Sequence, residues 1–184
     1  MAKYFQPVNM EAMYNQAKRR TALFQEAGVN APVASGAFIV PTGLAINSVY
    51  GAGNVDINKM TVEAPVSTDA KGVFVTDIVK VSSGAISGNE YRIGAKTIGL
   101  IAEAGETCAM SKVELYDEFE LGSENFAAPV GANGFATLTA GSTELTPVAA
   151  IPATGLTVQI MQAKKITQGT TANVDAYLCM VVQM

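Results

Sequence analysis

The chain has no histidine and no tryptophan among its 184 residues, only two cysteines, and a charged fraction of just 15%. Without histidine there is no imidazole base, which excludes Ser-His-Asp and Cys-His nucleophile systems and HExxH zinc sites together. An enzyme would have to work with Asp, Glu, Lys, Tyr or Ser alone, and a non-enzymatic role without catalytic residues, metal or cofactor is expected. Cys108 and Cys179 fall in no CxxC and in no metal-ligand spacing. Two buried free thiols are the expected form, with a single disulfide as the alternative. No apolar run reaches the 18 or so residues of a membrane-spanning helix. Residues 1–30 hold no uninterrupted apolar core of signal-peptide length, so cytoplasmic synthesis without a signal peptide is the expectation.

What is present is aliphatic. Apolar residues make up 49% of the chain, with aromatics at only 7%. Chains that stay disordered are rich in charge and poor in aliphatic side chains, the opposite of this composition. A chain of this length buries roughly 70% of its unfolded surface and needs neither metal nor disulfide to fold. The formal net charge is −4, which opposes nucleic-acid binding because phosphate neutralisation needs a basic face. Residues 1–30 carry four cations against two carboxylates, and residues 31–184 carry eight against fourteen. A basic head on an acidic body suggests docking on an acidic surface.

Residues 10–27 contain no Gly, no Pro and one β-branched residue, Thr21, between a capping candidate, Asn9, and a stop candidate, Gly28. Met10, Met13, Ala17 and Phe24 follow helical spacing with Tyr14 beside them, so the spacing predicts a helix. Residues 1–30 are accordingly expected to form a helical or extended N-terminal arm on a β-rich body, 31–184. From Ala31 onward, short Val/Ile/Thr/Phe runs alternate with Gly, Asn, Ser and Pro, the pattern of a mainly β fold, either a β-barrel or a β-sandwich. Strands are expected at 37–41 (ending at Pro41, hence at an edge or a strand end), 73–81, 91–101, 112–121, 135–139, 156–163 and 174–182. In 112–121, Val113, Leu115, Phe119 and Leu121 should share the inner face. In 174–182, Val174, Ala176, Leu178, Met180 and Val182 should share one face, with a partly apolar opposite face. Turns are expected at 51–54, 83–89 and 131–134, the last containing Asn-Gly. The Gly/Ala/Asn-rich stretch 122–141 is where the body would divide if it were two units; one unit is expected.

The acidic cluster Glu114, Asp117, Glu118, Glu120 and Glu124 has three readings: a solvated or partner-facing strand surface, a calcium site, or a carboxylate pair for glycoside hydrolysis. Strand alternation favours the first, since Glu114, Glu118 and Glu120 share the solvent face while Asp117 and Glu124 fall off it. Gly51-Ala-Gly-Asn-Val-Asp56 lacks the third glycine and the helix of a dinucleotide fingerprint. The triplet Lys18, Arg19, Arg20 reads either as a polar helix face or as part of a docking helix. With Met10, Met13 and Phe24 it makes up the candidate partner-binding set, because a lone helix has no core in which to bury methionines.

Gly72-Val-Phe-Val-Thr-Asp77 and Glu118-Phe-Glu-Leu-Gly-Ser-Glu-Asn-Phe126 resemble phrases of tailed-bacteriophage capsid decoration (cement) proteins. The resemblance spans 31–184. It implies a virion structural protein on the outside of a capsid, a homotrimer bound to the major capsid protein; that it contacts neither membrane nor nucleic acid is expected from the lack of an apolar span and from the net negative charge. A virion fibre or spike attachment protein and a small self-assembling capsid or tube subunit are the alternatives. The lack of tryptophan for sugar stacking weighs against the fibre.

Overall fold

The computed structural model describes residues 3–46, 55–78, 80–82, 97–99, 101–168 and 171–184. In chain order the strands are β1 (Phe5–Asn9), β2 (Arg19–Glu26), β3 (Val29–Asn30), β4 (Val33–Ala34), β5 (Phe38–Ile46) and β6 (Val55–Glu63). Then come β7 (Phe74–Asp77), β8 (Lys80–Ser82), β9 (Thr97–Gly99), β10 (Ile101–Ala102), β11 (Thr107–Lys112) and β12 (Glu118–Gly122). The chain ends with β13 (Phe135–Leu138), β14 (Leu145–Val148), β15 (Thr157–Gln168) and β16 (Thr171–Gln183). A four-residue helix, α1 (Glu11–Tyr14), lies between β1 and β2. The fold is mainly β, as the alternation predicts.

Five of these strands close on themselves. β11 pairs with β7, β7 with β5, β5 with β6, β6 with β2, and β2 returns to β11. A ring with an odd number of strands cannot be antiparallel throughout, so one parallel pairing is unavoidable, and it falls between β2 and β6. Ala22, Phe24, Ile39, Val62, Cys108 and Met110 fill the ring, and Val33, Ala37, Ile78 and Ala102 join the same cluster. Full closure removes exposed strand edges, which would otherwise template unwanted pairing.

The remaining long strands form a six-stranded antiparallel sheet in the order β1-β12-β16-β15-β13-β14. Its inner face, including Phe5, Phe119, Leu121, Leu138, Val158, Ile160, Cys179 and Val181, packs on Phe38, Val73, Val75 and Val113 from the barrel side. Phe119 is the hinge of this packing, with ring centroids 5.8 Å from Phe5 and 6.1 Å from Phe38. The architecture is therefore a small closed barrel with a sheet laid over its flank.

Several expectations are corrected. The helix at 10–27 is absent: α1 covers four residues, a 3-10 turn follows at Gln16–Lys18, and Arg19–Glu26 is strand. No arm stands apart among the described residues, because β1 pairs along β12 and β2 sits between β6 and β11. Closing the barrel requires β2, and that demand overrides the good helix propensity of Arg, Ala, Leu, Gln and Glu. The expected strand 112–121 is broken between Lys112 and Glu118, where Tyr116 adopts φ +69°. Leu115 is consequently exposed instead of joining Val113, Phe119 and Leu121 inside.

Pro41 is neither at an edge nor at a strand end: it lies within β5, which runs on to Ile46 and is paired on both sides. A register shift between Pro41 and Gly43 accommodates the missing N–H. In β16 the face that enters the main core carries Cys179 and Val181, not Leu178 and Met180. The strands expected at 135–139, 156–163 and 174–182 appear as β13, β15 and β16, and the turn at 131–134 closes with Gly134 N–H donating to the Gly131 carbonyl at 3.2 Å. The turns at 51–54 and 83–89, and most of the strand expected at 91–101, lie outside the described residues. Both cysteines are free and buried.

Candidate interaction surface

Asp117 organises one corner of the molecule. Its side chain is buried, and its two carboxylate oxygens accept from the backbone N–H of Glu11 (2.8 Å) and of Glu114 (2.7 Å). The first N–H of α1 would otherwise be an orphan donor, and Met10 at the cap position supplies no side-chain bond. Burial pushes the Asp117 carboxyl above its ordinary range, while the two backbone bonds pull it back down. One carboxylate thus ties the N-terminal segment to the turn between β11 and β12.

That turn is held to β16 through Val181. Tyr116 N–H donates to the Val181 carbonyl and Val181 N–H donates to the Asp117 carbonyl, both at 2.9 Å, and Asp117 N–H closes on the Glu114 carbonyl at 3.2 Å. Leu115 and Tyr116 are its two central residues. The positive φ at the second of them is a geometry for which glycine is favoured, and an L side chain there costs on the order of 1–2 kcal/mol.

A chain of alternating charges knits the corner from outside. Lys18 Nζ lies 3.5 Å from Glu11 and 2.6 Å from Glu114, and Lys112 Nζ lies 3.0 Å from Glu114. The Lys18 hydrogen bond, followed by that of Lys112, holds the Glu114 carboxyl below the usual range, and the same contact raises Lys18. Such pairs at the surface add little stability, but they fix α1 against the turn. On this frame four apolar side chains face out: Tyr14 is 76% and Tyr116 68% exposed, with Met13 and Leu115 each nearly half exposed. Apolar side chains concentrated on one rigid corner mark a contact surface, and tyrosine is enriched at such surfaces.

The candidate partner-binding residues are dispersed by the fold. Met10 is 1% exposed and lies in the core between barrel and sheet, and Phe24 is buried inside the barrel. Neither is available to a partner, because β1 and β2 give the N-terminal segment a core of its own. Met13 and Lys18 belong to the corner. Arg19 pairs with Asp77 at 3.3 Å, and exposed Arg20 donates from Nη1 to the Arg19 carbonyl at 3.1 Å. The triplet forms no common helix face, since Arg19 and Arg20 are consecutive strand residues.

The acidic cluster is dispersed too. Glu114 and Asp117 serve the corner, Glu120 on β12 contacts Lys164 and the Tyr4 hydroxyl, and Glu124 lies in the 3-10 turn that follows. No group of three or more His, Cys, Asp or Glu side chains among the described residues is arranged to hold a metal ion. Tyr14, Leu115 and Tyr116 are not marked as partner-binding residues by the helical spacing. The sequence signal that points to them is Asp117 itself, a carboxylate at an inward position between Val113 and Phe119 that must find buried donors.

A second region is a cleft of about 340 Å³ lined by Arg19, Asp77, Ile78, Ala102, Thr107, Cys108 and Ala109. Burial raises the Asp77 carboxyl in spite of Arg19. Burial and then the Asp77 charge push the Cys108 thiol up to about 11, and burial raises Cys179 further. Both therefore stay protonated at neutral pH, and the thiolate is the reactive form. The native protein is expected to react with a disulfide reagent much more slowly than the protein unfolded in denaturant, which releases two equivalents. Fast reaction of either thiol in the native state would contradict the burial. No protein-family model, curated protein or solved structure matches this chain.

Proposed function

We propose that this chain is a structural protein of a virion shell, one that binds the outside of a phage capsid and stabilises it by surface contact. The observation that carries the reading is the exposed Met13, Tyr14, Leu115 and Tyr116 corner, hydrogen-bonded to the sheet through Asp117 and Val181, in a charge-poor chain. Its chemistry is that of adhesion: two tyrosines with large apolar area and few rotatable bonds, flanked by Leu115 and the adaptable Met13, with the turn positioned by backbone hydrogen bonds. The two phrases at 72–77 and 118–126 direct the reading to capsid decoration. Each copy needs only a modest contact, because many copies on one shell act multivalently.

Quantitative mass spectrometry of purified virions tests this. A copy number equal to that of the major capsid protein, or a simple fraction of it, is the expected result, together with co-sedimentation of the free protein with preformed shells. A few dozen copies or fewer would favour a fibre or vertex protein. Spontaneous growth of the free protein into large particles would favour a shell or tube subunit. Absence from the particle would end the virion reading.

A further inference from the structure

We infer that Asn133 is a self-modification site, at which the folded chain converts an asparagine to isoaspartate without an enzyme, and that the conversion detaches Ile160 of β15 from the turn at 131–134. This chemistry does not depend on the capsid reading.

The sequence contains one Asn-Gly pair, Asn133-Gly134, and the fold sets Asn133 on the surface. The turn closed by the Gly134 N–H and the Gly131 carbonyl has φ +61° at Asn133, its third residue, as a type II turn requires. Asn133 N–H donates to the Ile160 carbonyl at 3.0 Å, and Ile160 N–H donates to the Gly134 carbonyl at 2.9 Å. Two consecutive residues thus oppose one, which makes Asn133 the left-handed first residue of a β-bulge, a position that glycine ordinarily holds. Glycine would serve this backbone at least as well, so the turn has no need of the carboxamide.

The surroundings leave that carboxamide open to attack by the next residue. No hydrogen bond among the described residues holds it, and Gly134 has no Cβ to shield its own nitrogen. The bond that occupies this nitrogen, at 3.2 Å, is at the long end of the N–H···O range, and freeing it takes only the opening of a surface turn. Neither β13 nor β15 as far as Ala163 carries a charged residue, so no fixed anion on these strands opposes ionisation of the Gly134 amide. Hydroxide removes the Gly134 N–H proton, and the nitrogen attacks the Asn133 side-chain carbon, Cγ. The new N–C bond forms as the bond from Cγ to the amide nitrogen breaks, and ammonia leaves after taking a proton from water. Water then opens the resulting succinimide ring. Opening at the main-chain carbonyl, the usual major course, yields isoaspartate: the chain now runs through Cβ and Cγ, one atom longer, and carries a new carboxylate. The extra atom falls between the Asn133 N–H and the Gly134 carbonyl, the two groups that grip Ile160, so both bonds cannot be kept.

Peptide mapping of the full native chain, aged at neutral and at mildly alkaline pH, is the test. The peptide containing Asn133 should gain the mass difference between an amide and an acid, mostly as isoaspartate, at a rate that rises with hydroxide concentration. Asn173 is the internal control. It is also exposed with positive φ, +59°, but is followed by β-branched Val174, and it should stay intact over the same period. Asn133→Gly should fold as the wild type does and show no such gain. Hydrogen exchange at the Ile160 amide should be faster by about tenfold or more in the isoaspartyl form than in Asn133→Asp, which carries the new charge on a main chain of normal length. Conversion at Asn133 no faster than at Asn173, an equal mass gain in Asn133→Gly, or conversion only after denaturation would overturn the modification site. Equal Ile160 exchange in the isoaspartyl and Asn133→Asp forms would overturn the detachment.

Discussion

Replacing Phe119 by alanine is expected to lower stability by about 3–5 kcal/mol, the usual cost of emptying a buried aromatic site. Phe119 is fully buried and is the ring through which the sheet and the barrel touch, with Phe5 on one side and Phe38 on the other. Its neighbours in β12 and β16 are fixed by the pairings Phe119↔Cys179 and Leu121↔Tyr177, so the sheet cannot collapse into the void without losing register. At roughly 2–4 °C per kcal/mol for a chain of this size, the melting temperature should fall by about 6–20 °C. Phe119→Leu keeps most of the volume and should cost less than half as much. Thermal unfolding followed by circular dichroism reads both. Similar melting temperatures for wild type and Phe119→Ala would mean that the two layers do not meet through this ring.

Gly155→Ala should be nearly as damaging, for a different reason. Gly155 has φ +90°, and a Cβ built there would lie 2.1 Å from the Thr68 carbonyl oxygen, 3.0 Å from its carbon and 3.3 Å from the Asp69 Cα. All three are backbone atoms, so no rotamer change relieves the clash, and the loop at 68–69 must move away from the start of β15. Left-handed strain of about 1–2 kcal/mol adds to an overpacking cost of about 1–3 kcal/mol. Gly72→Ala separates the two contributions. Gly72 also has positive φ, +66°, but its Cβ would meet nothing within 4 Å, so only the conformational cost of about 1–2 kcal/mol applies. Chemical denaturation of the two variants should therefore show a clear gap, with Gly155→Ala the less stable. Equal losses would place the loop at 68–69 farther from Gly155.

Part of the body from Ala31 onward is legible, because those strands are written in short, β-branched, turn-bounded runs. Phe135–Leu138 and the start of Thr157–Gln168 follow from local alternation, whereas Leu145–Val148 is not announced by its own sequence and owes its strand to pairing with Phe135–Leu138. The free thiols were legible for a similar reason, since each cysteine stands among apolar neighbours that bury it. Residues 10–27 carry helical spacing yet contain the strand Arg19–Glu26, because helix propensity is a weak local preference. Ala22 and Phe24 alternate toward the barrel interior over too few residues for a period of two to stand out against Met10, Met13 and Ala17.

The corner was legible only as a contradiction. Within an alternating run, Asp117 occupies an inward place, and a buried carboxylate requires donors. Sequence shows the need but not the supplier, because Glu11 lies far from Asp117 along the chain and is brought there by the pairing of β1 with β12. The patch of Met13, Tyr14, Leu115 and Tyr116 has the same origin, two segments distant in sequence that one carboxylate holds side by side.

Composition and local pattern alone settle that this is a mainly β chain without imidazole chemistry, because residue types and period-two alternation are properties of short stretches. Barrel closure, the parallel contact of β2 with β6, the burial of Met10 and Phe24 and the exposure of Tyr116 were decided by tertiary structure. Each depends on which distant strand becomes a neighbour, and that choice is made by the joint burial of two apolar faces, which no single stretch of sequence contains.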